Sequence, residues 1–181
     1  MISNQQVLEV RLEKLSKTLV SVFCLLGAER LFGIYKAFAN KFSVSHTTYL
    51  GIIENAYELI FKPDEKQLKA LREKLEKFIP DSEEYVDVLA DQAQCSGLCL
   101  MYALAYLESG DVSMALYSVQ KISEAIDIYG YERGGKLELL KKEADCQIET
   151  ITFLEDHNQN LEKGLKKYRN INTKSIIPEV S

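Results

Sequence analysis

Apolar side chains recur at steps of three and four residues along almost the whole of this chain, and no stretch alternates strictly enough to read as a strand. The pattern predicts helices throughout. The first, over 4–16, sets Val7, Leu8, Leu12 and Leu15 on one stripe. A more apolar one follows over 18–42, with Gly27 and Gly33 inside it as points of bending, close packing or division. Ser43 or Ser45 can cap a third helix over 46–61, with Tyr49, Ile52, Ile53, Ala56 and Leu59 inward, and Lys62-Pro63 ends it. Asp64, with Gln67 three residues on, forms a capping box for an amphipathic helix running to about Phe78 along a Leu68, Leu71, Leu75, Phe78 stripe. Beyond Ile79-Pro80, Asp81 and Glu84 make a second capping box, for a helix over 82–108. Within that helix Leu98 to Leu107 is an unbroken apolar run, and a helix that is hydrophobic on every side must be wrapped by others.

Gly110 then caps that helix, and Asp111 opens another to about Tyr129. Gly130 and the Gly134-Gly135 pair mark a loop before a last long helix over 136–168, and from Asn170 the periodicity is lost. At 181 residues the chain is the size of one domain. The expected fold class is therefore all-α: a single compact bundle of six or seven helices over 1–169, built around the helix 82–108, with a flexible tail over 170–181. The order of Tyr, small residue and Gly-Asp across Tyr102 to Ala125 is similar to one tetratricopeptide hairpin. No second copy is present, so it reads as an ordinary antiparallel pair.

A hydrophobic share of 46% and a charged share of 27% are those of an ordinary globular protein. The formal net charge of -5 repels a phosphate backbone on average, which speaks against nucleic acid. The longest apolar run is well short of the roughly 20 residues that span a bilayer, which rejects a transmembrane segment, and no membrane partner is expected. The opening residues lack the pattern of a secretory signal, so a cytoplasmic setting is expected. Lys136 to Lys142 and Lys163 to Arg169 are interleaved with leucines and acids, as solvated faces of an amphipathic helix are.

The residues that carry chemistry are few. His46 and His157 alone cannot furnish the Glu-x-x-His pairs of a di-iron bundle, and no motif places either beside a nucleophile. Cys95 and Cys99 share a helix face, but no second ligand pair accompanies them, so no metal or cofactor is expected and Cys24, Cys95, Cys99 and Cys146 read as small hydrophobes. The glycines at 130, 134 and 135 follow a helix rather than a strand, which fails the context of a phosphate-binding loop. Glu83, Asp87 and Asp91 lie four apart on one helix face. Asp91 sits among Val88, Leu89, Ala90, Ala93 and Cys95, where a buried carboxylate needs a partner. Arg30 is the evident cation, since Glu29 and Arg30 interrupt an otherwise apolar helix. Glu29, Arg30 and Asp91 thus form the one candidate binding cluster, read first as a structural ion-pair network and second as a pocket; no catalytic residue is assigned.

Ala28-Glu29-Arg30-Leu31 with Tyr35 and Phe38, then Leu75-Glu76-Lys77-Phe78-Ile79-Pro80-Asp81-Ser82-Glu83-Glu84-Tyr85 and Ala90-Asp91-Gln92-Ala93, resembles the YjaG-like family of bacterial proteins of unknown function, the domain of unknown function 416. The similarity runs from about Leu12 to Leu154. It implies an all-helical fold in a bacterial cytoplasm and names no activity. The family has Cys before its Glu-Arg pair where this chain has Ala28, and a later Pro where this chain has Gly33-Ile34 before Tyr35. Together these readings favour a non-enzymatic interaction module that binds another protein or forms a homodimer. Its acidity would suit a basic target, as in an inhibitor of a basic enzyme. The alternative is a small enzyme or ligand-binding protein with an inter-helix pocket at Glu29, Arg30 and Asp91.

Overall fold

The computed structural model describes residues 4–81 and 83–172. Eight α-helices and one 3-10 turn are present among them: α1 Asn4–Leu12, α2 Lys17–Phe42, α3 His46–Phe61, α4 Glu65–Glu76, α5 Val88–Ser109, α6 Val112–Arg133, α7 Lys136–Asp156, the turn Asn158–Asn160, and α8 Leu161–Asn172. The all-α expectation holds. Caps set most of the boundaries. The Ser16, Ser45, Asp64, Asp87 and Asp111 side chains each accept a backbone N–H of the first turn that would otherwise lack a partner. Ser43 ends α2 in the left-handed region, at φ 58°, which leaves Ser45 as the cap of α3.

Two helices share the centre. α5 lies against α2, α3, α4 and α6, yet Leu98, Met101, Tyr102, Ala105 and Leu107 of its apolar run keep part of their surface exposed. α2 is more enclosed, touching α3, α5, α6, α7 and α8, and every residue from Leu19 to Ala28 is buried. By length and composition α2 would also pass as a membrane span, but 78% of its most apolar window is buried inside the bundle. Gly27 does not divide it. A Cβ there would stand 2.9 Å from Ile122 Cδ1, so the glycine is what lets α2 and α6 approach so closely.

Three boundaries differ from the periodicity. α1 stops at Leu12 rather than near 16, and α5 starts at Val88, six residues later than 82. Between α4 and α5 the Asp81 carboxylate accepts the Glu83 N–H in a tight turn, and Tyr85 packs edge-on against Phe38 and Phe42 at 5.1 and 4.8 Å. That aromatic anchor holds the chain out of the helix until Asp87 can cap it. The predicted helix over 136–168 is broken at His157–Asn160, where the His157 side chain competes for a backbone partner. The His157 ring contacts the Phe153 carbonyl at 3.0 Å. α8 therefore folds back, Tyr168 stacks on Phe153 at 3.9 Å, and Asn170 to Asn172 belong to this helix rather than to a tail. The remainder of the predicted tail, 173–181, lies outside the described residues.

Candidate functional site

Glu29, Arg30 and Asp91 do not form one cluster. Adjacent residues on a helix point about 100 degrees apart, and Glu29 and Arg30 leave α2 toward different neighbours. Arg30, 1% exposed, turns to α7: its Nε donates to Glu143 Oε2 at 3.1 Å and its Nη2 to Glu143 Oε1 at 2.7 Å. Gln147, one helical turn on, donates to the same carboxylate at 2.7 Å. Burial pushes the Arg30 guanidinium down, but Glu143 more than offsets it, so Arg30 remains charged in the core. Its Nη1 has no hydrogen-bond partner. Glu29 turns instead to α3 and α8. It accepts the Tyr57 hydroxyl at 2.9 Å and pairs with Arg169, which also reaches Glu54 and lies 3.9 Å over the Tyr57 ring.

Asp91 is paired with neither. It is half-buried at the start of α5 and lines a surface cleft of about 530 Å³ with Val88, Asp127, Tyr131 and Lys136. A larger cleft of about 860 Å³ adjoins it, since Val88 and Glu132 line both. It opens between α2, the turn before α5, and the end of α6, with Asn40, Lys41, Asp87, Gln92, Tyr129 and Arg133 on its walls. Lys41 pairs with Asp87, and that bond first, then the Leu89 N–H, hold the Asp87 carboxyl below its ordinary value.

The floor of this cleft is polar without being paired. Gln92 is 3% exposed, and its amide forms no hydrogen bond with any described residue. Among the large apolar side chains of the described residues, the three most exposed stand around the same end of the bundle: Val86 at 102%, Tyr131 at 92% and Leu137 at 82%. Gly130 makes that end compact, because a Cβ there would meet Lys136 Cβ at 2.5 Å and force α6 and α7 apart.

The cysteines are poorly suited to nucleophilic chemistry. Burial pushes the Cys95 thiol up to about 11 and the Cys99 thiol up to about 12, and Cys99 Sγ lies 3.3 Å from the Ser118 hydroxyl. No group of three or more His, Cys, Asp or Glu side chains with metal-binding geometry is found among the described residues.

This arrangement of helices has a counterpart in a solved structure. A DUF416 family protein from Shewanella baltica OS155 superposes with a TM-score of 0.79 over 93% of this chain and 96% of its own, at 14% sequence identity. The chain has the DUF416 fold. The resemblance carried by Ala28 to Tyr85 and Ala90 to Ala93 is thus borne out at the level of fold. Nothing matches among protein-family models or curated proteins.

The residues missed by sequence reasoning differ in how visible they were. Glu143 and Gln147 occupy the buried stripe of α7 between Leu139 and Ile151, so two polar residues on an apolar stripe were a legible signal. Arg169 carried none, because its partners depend on α8 doubling back.

Proposed function

We propose that this chain is a non-enzymatic, cytoplasmic interaction module that receives a protein partner on the end of the bundle formed by the turn before α5 and the α6–α7 hairpin. The observation that carries the reading is that Val86 and Tyr131, each more than 90% exposed, line two adjoining clefts, with the exposed Leu137 next in sequence to Lys136 of the second. Water-exposed apolar groups gathered in one place gain most from burial under a partner. Glu29 and Arg30 speak for the same conclusion from the other side: both are consumed by ion pairs that join helices, which leaves them no chemistry to perform.

The partner's own character follows from charge. From Asp81 to Asp91 the sequence holds five carboxylates and no cation; among the described residues only Asp87 of these is ion-paired, with Lys41, so this turn beside the clefts stays acidic, complements a basic surface and would steer its approach. The test is quantitative affinity capture from cells of the source organism. A basic protein is expected to be enriched, to be lost with the Val86→Asp, Tyr131→Asp double variant, to be weakened at about 1 M salt, where screening acts beyond about 3 Å, and to be retained by Glu73→Ala. Capture indifferent to the double variant would place any partner elsewhere. A concentration-dependent dimer by analytical ultracentrifugation, lost in the same variant, would identify the partner as a second copy.

A further inference from the structure

An amide buried without a protein partner keeps its hydrogen bonds only where a cleft lets another molecule reach it. Gln92 is such a group. Its hydrogen-bonding atoms are not among the fully enclosed unpartnered atoms of the described residues, which are Arg30 Nη1 and Arg72 Nε, so they face the 860 Å³ cleft that the residue lines. The cleft is within the range of about 300–1,000 Å³ that small-molecule sites occupy. Asn40 and the Tyr129 hydroxyl, also on its walls, likewise have no hydrogen-bond partner among the described residues.

We propose that this cleft is a binding site for a small, net-neutral molecule bearing a planar amide-type edge, which pairs with the Gln92 carboxamide at the floor. A carboxamide offers a donor and an acceptor side by side, and its two-point complement is a group with an acceptor and a donor in one plane. A carboxylate lacks the donor and an ammonium lacks the acceptor. The charges on the walls cancel: Lys41 pairs with Asp87, and Glu132 and Arg133 at the rim are of opposite sign. They favour an uncharged or zwitterionic molecule over a strong anion or cation. Tyr129, Val88 and Leu89 supply the apolar flank on which a flat group can lie. Two sources share this chemistry, the backbone of a short peptide and the edge of a nucleobase. The inference does not depend on a protein partner.

Isothermal titration calorimetry on the intact chain separates the sources, with free glutamine and glycyl dipeptides in one arm and uridine and adenosine in the other. Saturable binding tighter than about 1 mM is expected in one arm. Gln92→Met, of similar volume and flexible, should weaken it at least about tenfold while leaving the melting midpoint unchanged or higher, since the amide it removes has no hydrogen bond to the rest of the described protein. Gln92→Leu provides the same comparison should Met fill the cleft. Silence in both arms overturns the site. So does binding that both variants retain, or a fall in melting midpoint in both, which would make Gln92 a structural residue.

Discussion

Arg30 and Glu143 are 1% and 2% exposed, and at that depth the value of each depends on the other. Glu143→Ala would leave a guanidinium stranded among apolar helices. Breaking a buried pair by removing one member costs about 3 to 5 kcal/mol, and that loss is expected by chemical denaturation. Asp91→Ala, which removes a half-exposed carboxylate with no ion pair, should cost less than about 1 kcal/mol. Equal losses for the two variants would contradict the assignment. This reverses the weight that composition alone puts on Asp91. Its apolar sequence neighbours, such as Ala90 and Ala93, are buried, but they occupy other faces of α5.

The buried thiols and phenols set an alkaline limit. Burial raises Cys95 to about 11, Cys99 to about 12 and Tyr35 to about 12, from ordinary values of 9.0, 9.0 and 10.0. Between the unfolded and folded values the unfolded chain has released protons that the native one still holds. Stability must therefore fall as pH rises from about 9 toward 12. Urea midpoints measured across that interval in the presence of reductant should decline; a flat profile would show that these groups are not protected.

At the scale of elements, the break at His157–Asn160 has the largest consequence. It brings Tyr168 onto Phe153 and Thr150, and Arg169 onto Glu29, Glu54 and Tyr57, so these two side chains join the buried Leu161 and Leu165 in holding α8 to the body. Arg169→Ala should cost about 1 to 2 kcal/mol, the sum of partly exposed ion pairs and a cation–π contact. It should also accelerate limited proteolysis near residues 157–160. Unchanged cleavage would mean that Leu161 and Leu165, both buried, suffice to hold the helix. Gly130→Ala is an independent check on the α6–α7 hairpin. With Lys136 Cβ only 2.5 Å from the added methyl, a loss of about 1 to 3 kcal/mol is expected from a thermal melt.

For the whole molecule, protection from exchange should follow enclosure. Amides of α2 from Leu19 to Ala28, and of α5 from Ala90 to Leu104, should exchange most slowly, and those of α8 fastest among the helices. A native-state hydrogen-exchange experiment in which α8 outlasts α2 would refute the order. The same enclosure divides the molecule in accessibility: ion pairs close the middle, while the end that carries Val86, Tyr131 and the Gln92 cleft stays open.

The helical class, the exact span of α3, the caps at Ser45, Asp64, Asp111 and Gly110, and the apolar stripes of α3 and α4 were all legible in the chain. Each is decided by interactions within one turn or by a period of 3.6, which linear order preserves. The start of α5, the break before α8, the pairing of Arg30 with Glu143 and of Glu29 with Arg169, and the unpaired state of Gln92 were not. Apart from the break before α8, where the His157 ring meets the Phe153 carbonyl four residues back, they depend on which residues meet across 28 to 140 positions of sequence, as in Tyr57 with Glu29 and Arg169 with Glu29. Whether a buried polar group finds a partner is settled by the packing of whole helices, so only the tertiary structure could separate the ion-paired charges of the core from the amide left to face the cleft.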